Sequence, residues 1–321
     1  MKVRHVFGPV FSRRLGRSLG IDLIPYKTCS YDCVYCECGP TTLKTTRREE
    51  FVRADSVLAE LRSLLAEHPP LDSITMAGSG EPTLSLAIGD VIRGIKEEFP
   101  EYTISVLTNG SLLDRADVQN DLVSADRVIP TLSTVSQATF ERIHRPCPGL
   151  RVDSIIGGIR HFREVWDGEL WLEVFLVPPL NTTPDELAGL KEAVRFLEPD
   201  RVQLNTLDRP SAEGWVQAVP APEMARISEM LGGPGTTVIS RSPDGQGPLP
   251  GGDEARERIC STLARRPSTI DDLVRLTGCA GGEVAKLLGE LEREGLIVPR
   301  RGPRGLFYTL ARTDRSRDGA D

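Results

Sequence analysis

Three cysteines crowd into one octapeptide, Cys29-Ser30-Tyr31-Asp32-Cys33-Val34-Tyr35-Cys36. Thiolates bind soft and borderline metals, and the C-x₃-C-x₂-C spacing lets three sulfurs reach three irons of one cubane from a single loop. Four-iron clusters ordinarily take four cysteines, so a set of three leaves one iron open to an outside ligand. The chain holds 7 cysteines, an odd count that argues against a disulfide framework and for a metal or redox role. Zinc is the competing occupant, and it takes four Cys or His ligands, typically as two separated pairs. Cys38 could complete such a set, but only by packing every ligand into one short loop. Otherwise Cys38 and Cys147 read as spectators, and Cys260 and Cys279 as small hydrophobes.

Other chemically capable residues follow strand-like runs. Gly78-Ser79-Gly80-Glu81-Pro82 is either a loop that lets backbone approach a ligand or an ordinary strand-to-helix turn. Thr108-Asn109-Gly110 and Thr131-Leu132-Ser133 occupy comparable places. Glu173 interrupts an apolar run. A buried carboxylate needs a partner or a polar cavity, and the cavity is the expectation. Asn181, Gln203 and Asn205 are similar candidates, with turn chemistry the alternative for the asparagines. Arg13, Arg14 and Arg17 form a basic group that either binds an anion or is solvated.

Alternating elements must position these residues. Strands are expected at 19–24, 73–77, 103–107, 127–132, 170–177 and 201–205, with helical patterns between them. Val57, Leu58, Leu61, Leu64 and Leu65 share a helical face whose start Asp55 would cap. Thr183-Pro184-Asp185-Glu186 reads as a capping box, and Leu187, Leu190 and Val194 as the buried stripe behind it. Six strand–helix units imply a parallel sheet of apolar strands covered on both faces. An incomplete α/β barrel and an open doubly wound sheet both fit. Either places function at the C-terminal strand ends.

The Gly/Pro-rich stretch 232–252 reads as a linker with one short strand at 237–240. Beyond it, Ile259 and Leu263 mark a helix stopped by Pro267. Thr269 caps a second helix carrying Leu273 and Leu276, which ends near Gly278. Val284, Leu287, Leu288 and Leu291 mark a third, closed by Gly295. Strands at 296–298 and 306–310 flank a basic tip at 300–305. Three helices followed by a hairpin resemble a winged helix-turn-helix domain over 253–311, and the polar tail 312–321 is expected to be disordered. On the third helix Glu283, Glu290, Glu292 and Glu294 outnumber Lys286 and Arg293, which suits a phosphate polyanion poorly. Docking of protein or substrate is expected ahead of nucleic-acid contact, which would run through Arg300, Arg301 and Arg304.

A net charge of −7 argues against bulk nucleic-acid binding by the whole chain. No apolar run approaches the roughly 20 residues of a membrane span, and the first ten residues lack a signal-peptide pattern. A cytoplasmic location and no membrane partner are the expectation.

With Tyr35 as the aromatic before its last cysteine, the cysteine loop resembles the hallmark of the radical S-adenosylmethionine superfamily. The 78–82 segment resembles that family's GGEP motif, with Ser79 set between the glycines. Segments 7–20 and 202–210 add likeness to a prokaryotic group related by similarity to wybutosine-type and NifB-type proteins. The likeness covers roughly residues 5–215. It implies a partial (β/α)₆ TIM-like barrel over 1–231, followed by the small winged helix domain. It further implies a [4Fe–4S] cluster on Cys29, Cys33 and Cys36. S-adenosylmethionine would be held by Tyr35, Gly78, Ser79, Gly80, Glu81, Pro82, Asn109 and Ser133. Ser133 stands where relatives often carry an acidic residue on the ribose. The implied reaction is reductive cleavage to a 5′-deoxyadenosyl radical that takes hydrogen from a substrate, with RNA and protein the macromolecular candidates. A reductant such as flavodoxin or ferredoxin would supply the electron. The alternative is a transcriptional regulator that senses the cluster or S-adenosylmethionine and binds DNA, but a sensor has no use for the 78–82 loop.

Overall fold

The computed structural model describes residues 5–232, 235–239 and 252–311. Its strands are β1 Val6–Ser12, β2 Gly16–Ile21, β3 Thr28–Cys29, β4 Leu43–Lys44, β5 Ser73–Met76, β6 Ile104–Thr108, β7 Arg127–Pro130, β8 Glu169–Leu176, β9 Arg201–Thr206, β10 Thr236–Val238, β11 Ile297–Gly302 and β12 Gly305–Leu310. Its helices are α1 Ala54–Leu65, α2 Ile88–Glu98, α3 Ala116–Leu122, α4 Gln137–His144, α5 Val152–Val165, α6 Pro184–Leu197, α7 Ala221–Leu231, α8 Gly252–Leu263, α9 Ile270–Thr277 and α10 Gly281–Arg293. One sheet runs β1-β2-β5-β6-β7-β8-β9-β10, parallel throughout except for the β1–β2 hairpin. Its six central parallel strands, with helices between them, make the partial α/β barrel. Its loops at the C-terminal strand ends carry the candidate residues.

The strands alternate more strictly than expected. One face, including Ile21, Met76, Val106, Leu172 and Leu204, packs against the helices in a single apolar core. Residues two apart on a strand share a face, so Ser18, Thr75, Ser105, Glu173 and Gln203 point the other way. Hydroxyls there pair across strands, Ser18 to Thr75 at 2.7 Å and Ser73 to Ser105 at 2.9 Å. The inner face is therefore buried and mixed, its polar groups set beside Leu107, Ile129, Trp171 and Phe175.

Several local expectations change. Strand β1 was not expected, because Gly8 (φ 105°) and Pro9 interrupt the alternation and shift its register against β2. The first parallel strand ends at Ile21 rather than at residue 24, where Asp22 leads the chain into the loop. Helix α1 is capped by Arg53 with no side-chain bond, while Asp55 lies in the first turn, favourable to the helix dipole. Leu64, expected on the buried face, is 42 % exposed. Thr183 accepts from the Glu186 N–H, but the Glu186 carboxylate turns to Thr134 (2.5 Å) and Thr139 (2.6 Å), so the capping box is only half closed.

In the C-terminal region Thr269 and Asp272 do form a full capping box on α9, and Gly278 (φ 74°) ends it. The hairpin strands are longer than expected, paired to Gly302↔Gly305, so the tip at 303–304 is tight and Arg300 and Arg301 lie on a strand. Cys260 and Cys279 pack in this small core as expected, and Val10 of β1 joins them. The expected linker strand is β10, added parallel to β9. Most of the linker and the whole 312–321 tail lie outside the described residues.

Two truncations separate core from surface. Leu172→Ala should cost roughly 2–5 kcal/mol, because Leu172 is fully buried in the main core. Leu64→Ala should stay within about 0.5 kcal/mol. Urea unfolding of both variants checks the assignment, and equal losses would contradict it.

Candidate active site

Of three loops from successive parallel strands, the first two are tied together at backbone level. The Lys27 N–H donates to Ser79 O (3.1 Å) and the Glu81 N–H to Thr28 O (3.1 Å), so the 78–82 segment lies along the start of the cysteine loop. A Cβ at Gly80 would fall 2.0 Å from Thr28 O, and one at Gly78 2.1 Å from the Asp22 carboxylate. Only glycine permits these approaches. The Ser79 N–H and hydroxyl donate to Asp22 at 3.2 and 3.1 Å.

Glu81 joins this pair of loops to the third. Its buried carboxylate accepts from Thr83 N–H (3.1 Å) and hydroxyl (2.6 Å), from the Thr108 hydroxyl (2.7 Å) and from the Asn109 N–H (2.7 Å). Burial nonetheless pushes its pKa up, against those hydrogen bonds. Asn109 Nδ2 donates to Ser30 Oγ (2.8 Å) and points at Cys29 Sγ from 3.6 Å. Pro82 is buried and opens a short 3₁₀ turn.

Cys29, Cys33 and Cys36 are all free thiols on this platform. Burial pushes Cys29 up to about 12, and burial with the neighbouring Cys29 and Cys36 sulfurs raises Cys33 well above its ordinary value. Cys36 goes the other way, down to about 6, because a hydrogen bond from Cys38 and the Lys27 ammonium 3.0 Å away outweigh burial. His144 Nδ1 lies 3.2 Å from Cys33 Sγ, and burial pushes its imidazole down to about 3, so it is neutral. Mutual repulsion among thiolates in a dry pocket is what a bound cation relieves. Among the described residues no three His, Cys, Asp or Glu side chains converge on one point as ligands of a single ion would. A cubane asks for each thiol at a separate iron.

Tyr35 stacks on Phe175 with centroids 3.8 Å apart and 9° between planes. Ser133 Oγ and Gln203 Oε1 are buried and make no hydrogen bond, leaving two polar atoms for a ligand. Asn181 instead serves the backbone, bonding Val177 N, Ser133 O and Phe175 O. Glu173 is paired rather than facing an empty cavity: Arg14 approaches to 2.7 Å, and Thr131 and Asn205 donate at 2.8 Å. These partners overcome burial and hold its pKa below the usual range. The expected basic group is consumed internally. Arg14 goes to Glu173, Arg13 lies 3.8 Å from both Glu37 and Asp208, and Arg17 lies over Phe11.

Lys27, His144 and Asp22 escaped the sequence reading. Asp22 and Lys27 had a weak signal in their places just after a strand and just before Cys29. His144 comes from the end of α4, far along the chain, and had none. Cys38, expected as a spectator, lies beside Cys36 with its sulfur 3.0 Å from Arg265 O, and its single S–H serves one of the two at a time.

Residues 23–193 match the radical SAM superfamily model, and residues 243–302 match the DprA winged helix domain. A relative called GTPase Obg from Brachyspira hyodysenteriae is 35 % identical over 92 % of this chain, which spans only 44 % of that relative's length. A UPF0026 protein from Methanocaldococcus jannaschii is 34 % identical over 70 % of this chain and 69 % of its own. A radical SAM methyltransferase structure from Sphaerobacter thermophilus superposes with a TM-score of 0.54 at 18 % identity, covering 69 % of this chain and 65 % of that one. At that identity the superposition speaks for the fold alone.

In metal-free protein, thiolate is the form that alkylates, and Cys36 has the depressed pKa. Its labelling should therefore switch on as pH rises through about 6, with Cys29 and Cys33 silent at pH 7. Lys27→Met should move that onset upward. Peptide mass spectrometry after brief iodoacetamide exposure reads the outcome, and equal labelling of the three at pH 7 would contradict it.

Proposed function

Because the chain belongs to the radical SAM superfamily, and within it to the UPF0026 group, we propose that it is an enzyme whose Cys29, Cys33 and Cys36 hold a [4Fe–4S] cluster beside a pocket for S-adenosylmethionine. Members of the superfamily bind both groups, which together supply a 5′-deoxyadenosyl radical that takes hydrogen from a substrate. One observation carries the reading: three free thiols on a loop whose backbone is bonded directly to a glycine loop.

The chain's own residues divide the remaining work. Lys27 offsets the charge of Cys36, and neutral His144 sits as a hydrogen-bond partner for Cys33. Gly78, Gly80 and Pro82 offer backbone to the amino-acid end of the cofactor, and Ser79, whose N–H and carbonyl are bonded to Asp22 and Lys27, holds that turn in place. Glu81, its carboxylate already taken up by protein donors, fixes that backbone to Asn109. The Tyr35–Phe175 stack gives a flat wall, and Ser133 and Gln203 supply unused polar atoms.

The units are read as a barrel over 1–231, a linker and a winged domain over 253–311. The winged domain beside the barrel mouth suits a macromolecular substrate, RNA or protein. Arg300 donates to Ser211 O at 2.8 Å and Arg304 pairs with Asp272 at 2.7 Å, so two of the tip cations face inward, which favours a protein segment over a phosphate backbone. A one-electron reductant such as flavodoxin or ferredoxin would serve the cluster. The sensor-regulator reading leaves the interlocked 78–82 loop without a task.

Anaerobic reconstitution followed by dithionite and S-adenosylmethionine tests the proposal. Alanine at Cys29, Cys33 or Cys36 should abolish both the cluster absorbance and 5′-deoxyadenosine formation, whereas Cys38→Ala should keep the cluster. Full cluster retention in the three variants would overturn it.

A further inference from the structure

The winged domain meets the candidate site at Arg265. Arg265, just beyond α8, places Nε 3.3 Å from the Asp22 carboxylate, the same carboxylate oxygen that receives the Ser79 N–H and hydroxyl. Its backbone carbonyl lies 3.0 Å from the Cys38 sulfur. A single residue therefore touches both loops of the site, the glycine loop through Asp22 and the cysteine loop through Cys38.

The guanidinium is aimed by packing. It lies 4.5 Å from the centroid of the Phe7 ring, and that ring fills the space over Gly20, where a Cβ would come within 2.1 Å. Phe7 also packs against the winged-domain core, so strand β1 couples the domain's position to the guanidinium's. Asp22 is buried, and burial raises its pKa against the pull of Arg265 and the Ser79 bonds. An ion pair of this kind loses much when one partner leaves, because a buried charge stays behind.

Docking is also held by a second set of ion pairs that does not use Arg265. Buried Arg209 bridges Glu37 (3.2 Å) and Asp272 (2.9 Å), and Arg304 bridges Asp272 (2.7 Å) and Asp208 (3.2 Å). Removing Arg265 should therefore leave the winged domain in place.

We propose that Arg265 is a positioning residue for the cofactor pocket, through which the docked winged domain holds the 78–82 and cysteine loops in register. The proposal rests on reading 78–82 as the S-adenosylmethionine loop. Its primary test needs neither cluster nor cofactor. Backbone hydrogen exchange is followed in full-length, metal-free protein for wild type, Arg265→Ala, Arg265→Lys, Asp22→Asn and the remote control Arg300→Ala.

Arg265→Ala should speed exchange across 78–82 by about tenfold while α9 and α10 exchange as in wild type. Lysine should restore part of the protection. Asp22→Asn, which keeps the Phe7 stack, should change in the same direction, and Arg300→Ala should not. Unchanged exchange at 78–82 in the alanine and asparagine variants overturns the proposal. So does loosening spread equally over α9 and α10, which would make Arg265 a mere packing residue. On reconstituted protein, equilibrium dialysis should show S-adenosylmethionine bound about tenfold more weakly by Arg265→Ala. Failure of wild type to bind it would refute the functional reading, while the exchange result would still stand or fall separately.

Discussion

The structure depends on the contact between two stretches of backbone, at Gly80 and Thr28. Two hydrogen bonds of 3.1 Å run between the segments, and no side chain fits between them. That closeness turns two loops from different strands into one rigid shelf. Glu81 extends the shelf to the loop after β6, and Asn109 returns from there to Ser30 within the cysteine loop. Each tie is a main-chain bond or a buried or half-buried side-chain bond, so the sulfur positions are fixed by the sheet rather than by the loop's own preferences.

The electrostatics of the pocket follow from that rigidity. Three thiols are held where burial opposes ionisation in two of them, with one ammonium close enough to favour it in the third. Such a site is poorly satisfied empty and well satisfied by a polycationic iron core, because metal binding and thiol deprotonation proceed together. The opposite wall follows the same logic. Glu173 is charged and buried yet quiet, its oxygens covered by Arg14, Thr131 and Asn205, while Ser133 and Gln203 keep polar atoms unspent. The inner face of the barrel is thus partly neutralised by the protein and partly left for a guest.

Local motifs were legible because their physics is local. The cysteine spacing, the glycine loop, the Thr269 cap and the apolar stripes of the helices each sit within about a dozen residues and could be read directly. What escaped depends on distant partners. Glu173 reads as a cavity residue until Arg14, on the far edge of the sheet, is brought to it. Asp55 reads as a cap, although the chain already turns helical at Ala54. Glu186 completes a capping box on paper, but two threonines from the loop and helix after β7 offer its carboxylate better partners. Strand β1 was hidden by Gly8 and Pro9, whose bulge disrupts the period that marks a strand. His144 and Arg265 belong to elements remote from the loops they serve, and no spacing rule connects them.

On this reading the shelf holds a cluster with one iron left for the cofactor. Mössbauer spectra of protein reconstituted with ⁵⁷Fe, taken before and after S-adenosylmethionine, test it most directly. The expected spectrum is that of a four-iron cluster in which one iron subsite alone shifts when S-adenosylmethionine is added. Four irons that ignore the addition, or a purified protein whose cysteine loop holds tetrahedral zinc, would contradict it.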